Sequence, residues 1–252
     1  GAVELLGEDA AGQALELVLA ARAGQRGVAD VVGRVEVRVV GPPRAALAEW
    51  HEREPLAVAR HEVQAALETL ATSTRLETGN ESFQLYRCVD GAAGPANYDF
   101  LTYENWSAES FATSHTRSQH YRVFQQQAAS LLSEPMVVAR CGMTSSPTLV
   151  TVDPTHIIVG SRMWTKAGQQ ANAEAILSNF VGFARSEAGC AGYDMHQGID
   201  EPNQFILHEA WRDQAAVNFD LGTQQFADFV AQSPTLFTNG YIEVNFLNLI
   251  SQ

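Results

Sequence analysis

Two short motifs in this chain set a carboxylate two residues before a tryptophan: Glu104-Asn105-Trp106 and Glu209-Ala210-Trp211. Beyond the first lies His115, and well before it the pair Trp50-His51. Histidine exchanges a proton near neutral pH, because its ordinary pKa is about 6.5. Tryptophan offers a broad apolar ring with a polar edge, suited to orienting a flat ligand. His51, Trp106 and His115 are therefore the candidate catalytic groups. They suit proton transfer to or from a flat aromatic ligand. The protein would supply a dry pocket, a stacking surface and a proton acceptor or donor. Trp50, Phe83, Tyr86, Thr102, Ser161, Trp164, Tyr193, His208 and Trp211 are the candidate substrate contacts. Each has a structural alternative: both motif tryptophans can fill a core, His208 can hydrogen-bond between sheets, and His115 can cap a helix.

Other chemistries fit the residues less well. His115 and His120 would stand about 140° apart around a continuous helix, off a common face, and His51 and His61 fall on different elements. Cys88, Cys141 and Cys190 are scattered, so no four-ligand zinc set is expected and the metal expectation is none. Neither a Gly-x-Gly-x-x-Gly nor a Gly-Lys-Ser/Thr fingerprint is present, so no tightly bound nucleotide or flavin is expected. A net charge of −13 opposes a nucleic-acid partner and an anionic membrane surface. No apolar run reaches the length of a membrane span. Three cysteines without pair spacing, and no stretch that reads as a leader, give a cytoplasmic protein as the expectation.

The elements that must position these residues occur twice. Arg75-x-Glu77-x-Gly79, a strand at 82–88 and a strand at 98–106 ending in Glu-x-Trp are matched by Arg185-x-Glu187-x-Gly189, a strand at 190–196 and a strand at 204–211. A repeat this long is a duplicated domain rather than a solenoid unit. In the first copy the pattern gives a strand at 45–53, a helix over 58–73, one helix over 108–132 and a closing strand at 136–141. In the second it gives a strand at 156–164, helices over 169–186 and 213–231, and a final strand at 241–247. Each copy reads as βαββαβ, an α+β, ferredoxin-like order. The expected domains are an N-terminal extension (1–44) and two copies at 45–144 and 154–252. The bare sheet faces would cover each other in a barrel-like pseudo-dimer within the chain.

With these motifs in hand, the chain resembles the antibiotic biosynthesis monooxygenase family. That family shows a Glu-Pro-Gly turn, a tyrosine-bearing strand, a Glu-x-Trp strand end and a histidine early in the second helix. The resemblance implies dimeric α+β barrels, here closed within one chain, and activities that include cofactor-free phenol oxidation, quinol oxidation and heme degradation. The tandem layout also resembles the oxygenases that open the B ring of angucyclines in jadomycin, kinamycin and gilvocarcin pathways. It implies O2 as co-substrate, no tightly bound cofactor, room for a diffusible reduced flavin with a partner reductase, and a monomeric pseudo-dimer or a homodimer. Departures stand out: Thr78 and Ala188 replace the turn proline, and Asp220 stands where the first copy has His115. Counting back from the strand–helix junction puts His51 and Ser161 at the family's first-strand asparagine. The first copy thus holds the fuller acid–base set. A non-catalytic carrier of a hydrophobic small molecule and a heme-degrading enzyme are the rival readings.

Overall fold

The computed structural model of the chain describes residues 35–39, 53–89, 98–132, 136–144, 148 and 151–252. They form two compact units, one around residues 35–88 and 98–141, the other around residues 142–247. The first contains β1 (Val35–Val39), α1 (Arg53–Thr74), β2 (Asn80–Val89), β3 (Phe100–Trp106), α2 (Glu109–His115), α3 (Gln119–Leu131) and β4 (Val137–Met143). The second contains β5 (Ile157–Thr165), α4 (Gln170–Ala184), β6 (Cys190–Gly198), β7 (Gln204–Trp211), α5 (Gln214–Leu221), α6 (Gln224–Leu236) and β8 (Phe237–Ser251). In the first, β1 lies between β4 and β3, and β2 pairs with the far side of β3, all antiparallel. In the second, β5 lies between β8 and β7, with β6 beyond β7. Both sheets therefore have the ferredoxin-like order expected of βαββαβ.

Each helix is held by a stripe of apolar residues. In α1, Val63, Leu67, Leu70 and Ala71 are buried at helical spacing. They pack on Phe83, Leu85 and Phe100 of the sheet and on Tyr121, Phe124 and Ala128 of α3. Burying each large member of this set contributes about 1.5–3 kcal/mol. Leu177, Phe180, Val181 and Ala184 of α4 do the same against Val159, Met163, Tyr193, Phe205, Leu207 and Trp211. Strand alternation sends neighbours the other way. Tyr86, beside Leu85, instead donates its hydroxyl to Gln84 Oε1 at 2.8 Å.

Three expectations are corrected. The first strand of copy one is β1 at 35–39, inside the stretch expected to be an extension, since it pairs with both β3 and β4. Arg53, expected in a strand, begins α1. The expected strand at 45–52 lies outside the described residues. The register sets Val37 opposite Thr102 and Ser161 opposite Leu207. Val37, not His51, is thus the counterpart of Ser161. The cause is a long β1–α1 connection that counting back from the helix could not reveal.

The third correction concerns the second helix of each copy, which is broken. α2 ends at His115, and α3 begins after Ser118, whose hydroxyl accepts from the Tyr121 amide at 3.2 Å. In the other unit, Thr223 caps α6 by accepting from the Phe226 amide at 3.1 Å. A hydroxyl that satisfies an otherwise orphaned N–H starts a new helix where helical spacing alone reads as continuous.

The repeated glycine has a packing reason. A Cβ on Gly79 would lie 2.1 Å from the Phe111 ring, and Gly79 has φ +85°. A Cβ on Gly189 would lie 2.3 Å from the Ala216 Cβ. Each glycine lets the short helix after the Glu-x-Trp strand lie against the turn, which brings that helix to the glutamate two residues before the glycine.

Candidate active site

Alternation along β3 puts Phe100, Thr102, Glu104 and Trp106 on the helix-facing side of the sheet. Glu104 is fully buried. Its Oε2 accepts from Trp106 Nε1 at 3.2 Å, and Thr102 also hydrogen-bonds it. Its Oε1 has no hydrogen-bond partner. Burial is the main force on this carboxyl and pushes its pKa up to about 8, with the nearby Glu77 charge adding to the rise. At neutral pH Glu104 is chiefly a neutral acid.

The helix break directs a second set of groups toward it. His115, at the end of α2, is fully buried, with its ring centroid 5.2 Å from that of Trp106 and 4.8 Å from that of Tyr121. Its Nδ1 meets Glu77 Oε1 at 2.6 Å. His120, in the first turn of α3, meets the same Glu77 oxygen through Nε2 at 2.5 Å. A carboxylate oxygen accepts, so both rings donate. His115 then carries its proton on Nδ1 and presents a bare Nε2. That Nε2 has no hydrogen-bond partner and lies 3.9 Å from Glu104 Oε2. Burial pulls the His115 pKa below its ordinary value and outweighs the opposing effect of Glu77. The ring is thereby kept neutral, as a base must be. His120 is about a quarter exposed and borders an apolar groove of about 360 Å³ between α1 and α3, lined by Leu70, Val123 and Phe124 among others.

The second unit keeps the scaffold and changes the groups. Trp211 Nε1 donates to Glu209 Oε2 at 2.9 Å, as in the first unit. Tyr193 donates to Glu209 Oε1 at 3.0 Å. Phe83 occupies the register position of Tyr193 opposite Glu104, which explains why Glu104 Oε1 is orphaned. Asp220 replaces His115, Gln225 replaces His120, and Glu187 matches Glu77. Burial raises the pKa of Glu209 to about 7 and that of Asp220 to about 8.

Among the residues expected at a site, the structure joins Trp106, His115 and Thr102 in the first unit, with Phe83 across from Glu104. It joins Tyr193 and Trp211 in the second, with Ser161 on the same sheet face. Tyr86 and His208 lie on the opposite faces of their sheets. Trp164 does too: its Nε1 donates to Glu201 Oε2 at 3.2 Å, and Arg162 sits over its ring. His51 and Trp50 lie outside the described residues. Glu77, Glu104 and His120 complete the cluster and were not among the expected residues. The signal was present for the first two, since Arg-x-Glu-x-Gly and Glu-x-Trp recur in both copies. For His120 there was none, because the expected divergence of His115 and His120 assumed an unbroken helix.

Comparison with known proteins agrees with this layout. The profile of the antibiotic biosynthesis monooxygenase family matches residues 54–127 and 156–232. The chain belongs to that family, with two of its domains in tandem. It is 37% identical over 60 residues to "Putative monooxygenase YcnE" of Bacillus subtilis, a stretch covering 24% of this chain and 63% of that protein. The first relatives it matches are spanned over only 54% and 63% of their length. The crystal structure of "Putative monooxygenase (FN1347)" from Fusobacterium nucleatum superposes with a TM-score of 0.62 at 14% identity, covering 88% of this chain and 94% of that one. An "anthrone oxidase-like protein" superposes with a TM-score of 0.63 at 10% identity, covering 86% and 90%. At these identities the structural likenesses establish the fold. No helix among the described residues is long and apolar enough to cross a membrane.

Proposed function

We propose that the first unit houses an oxygenase site acting on a polycyclic aromatic phenol or hydroquinone of the polyketide type, with O2 as co-substrate and no tightly bound cofactor. The carrying observation is the bare, buried Nε2 of His115, oriented by Glu77 through Nδ1 and set beside Trp106 and a neutral Glu104. His115 takes the phenol proton through Nε2. The phenolate gives one electron to O2, and the resulting aryloxyl radical and superoxide combine at a ring carbon. The peroxide anion takes a proton from Glu104 or from the imidazolium. Loss of water then leaves a quinone, so a phenol with a ring C–H para to its hydroxyl (the enol of an anthrone) and O2 yield quinone and H2O. The anthrone oxidase-like neighbour supports this substrate class as a likeness of fold. The tandem layout supports the narrower form, opening of an angucycline B ring in antibiotic biosynthesis. A substrate arriving as a quinone would first need two electrons, from a diffusible reduced flavin made by a partner reductase.

The test is turnover of a polycyclic anthrone or hydroquinone under O2. His115→Ala should slow it by about 10²–10⁴-fold, the usual worth of a general base, and Trp106→Phe should also slow it. Ser161→Ala and Trp211→Phe in the second unit should change it far less. Loss of turnover confined to the second-unit variants would place the chemistry in the other copy. Tight binding with no turnover in wild type would favour a carrier of hydrophobic small molecules instead.

A further inference from the structure

Glu77, His115 and His120 are bound together by more than a hydrogen-bond network. Glu77 offers a carboxylate oxygen and the histidines offer Nδ1 and Nε2, and these three atoms all lie within 4.8 Å of one another. Two of the separations are 2.6 and 2.5 Å, both across the Glu77 oxygen. Ligand atoms about a tetrahedral zinc-class ion stand roughly 3.3 Å apart, given bonds of about 2.0–2.1 Å. Widening the two Glu77 separations by about 0.7–0.8 Å and drawing the two nitrogens, which lie within 4.8 Å of each other, toward the same spacing would set the three atoms around an ion. The three donors sit on the α1–β2 turn, the end of α2 and the start of α3, elements fixed by the Gly79 contact and the Ser118 cap. His120 gives the cluster an exposed edge. The other unit has Asp220 and Gln225 at the histidine positions, so this donor set belongs to the first copy.

We infer that Glu77 Oε1, His115 Nδ1 and His120 Nε2 form a binding site for a divalent transition cation of the zinc class, and that its occupation silences His115 as a base. Two imidazoles and one carboxylate suit zinc, cobalt or nickel better than calcium or magnesium. A cation on Nδ1 moves the His115 proton to Nε2, and a cation on His120 Nε2 moves that proton to Nδ1. The His115 ring remains neutral. Nε2 of His115 then donates where it previously accepted. This second clause rests on the function proposed above, whereas the binding clause does not.

The experiment titrates the full-length chain with Co2+, following visible absorbance, and then displaces it with Zn2+. One equivalent of Co2+ should produce a d–d band that Zn2+ abolishes. Glu77→Gln and His120→Gln, each shown to be folded by circular dichroism, should weaken binding at least about 10–100-fold, since even outer-shell losses cost that much. No band in wild type, or equal binding in both variants, overturns the site. Zn2+ should also inhibit turnover of the aromatic substrate with the Kd that its displacement of Co2+ gives once the Co2+ present is allowed for. Binding without inhibition of an active enzyme overturns the silencing clause alone. If no substrate is turned over, the cobalt titration still decides the site, so failure of the oxygenase reading is separable.

Discussion

At the scale of single residues, the two units form a natural comparison. Glu104 and Glu209 share a strand position, a tryptophan donor and burial, yet Glu209 Oε1 has a donor, Tyr193, where Glu104 Oε1 has none. Hydrogen bonds to the charged form lower a carboxyl pKa, in accord with about 8 for Glu104 and about 7 for Glu209. Phe83→Tyr should therefore lower the Glu104 pKa toward that of Glu209. Tyr193→Phe should raise that of Glu209 and destabilise the fold by about 1–3 kcal/mol by orphaning a buried oxygen. Carboxyl 13C NMR titration reads both shifts, and unchanged titrations would remove the phenol as the cause. A Phe83→Tyr enzyme should also be a poorer oxygenase at neutral pH if neutral Glu104 is a proton donor.

At the scale of elements, the break between α2 and α3 assembles the cluster. It depends on a cap and on a glycine. Ser118→Ala removes the acceptor for the Tyr121 amide and should cost about 0.5–2 kcal/mol. It also removes the hydroxyl 3.1 Å from His120 Nε2. Gly79→Ala should cost more than about 1 kcal/mol, because it adds a methyl against Phe111 and strains a positive φ. Urea denaturation measures both. A fully stable Gly79→Ala protein would show that α2 does not need this close approach. Neither feature was legible as a break: the apolar spacing across 108–132 is consistent with one helix, and capping is a local competition that spacing does not report.

At the scale of the whole molecule, the buried acids of the second unit tie stability to pH. Asp220 and Glu209 have folded-state pKa values raised to about 8 and about 7. Burial also raises that of Glu187. Between the unfolded values near 4 and these raised values, the folded chain holds protons that the unfolded chain has lost. Stability therefore falls as pH rises through that window. The slope approaches about 1.4 kcal/mol per pH unit for each such proton. The urea midpoint should be higher at pH 5 than at pH 8, and Asp220→Asn should flatten the dependence. An unaltered slope in that variant would mean Asp220 does not hold its proton in the folded state.

The sequence by itself determined the duplication, the βαββαβ order and the family, because the repeated Arg-x-Glu-x-Gly and Glu-x-Trp motifs lie on regular elements whose periodicity reports burial. It also determined that Trp106 and Thr102 share a sheet face, since strand alternation is geometric. Only the tertiary structure decided that Val35–Val39 is the first strand of copy one, because strand pairing acts across long connections that carry no local pattern. Only it brought His115 and His120 onto one oxygen of Glu77, because that meeting requires a helix break, a glycine-permitted contact and a turn distant in sequence to coincide in space.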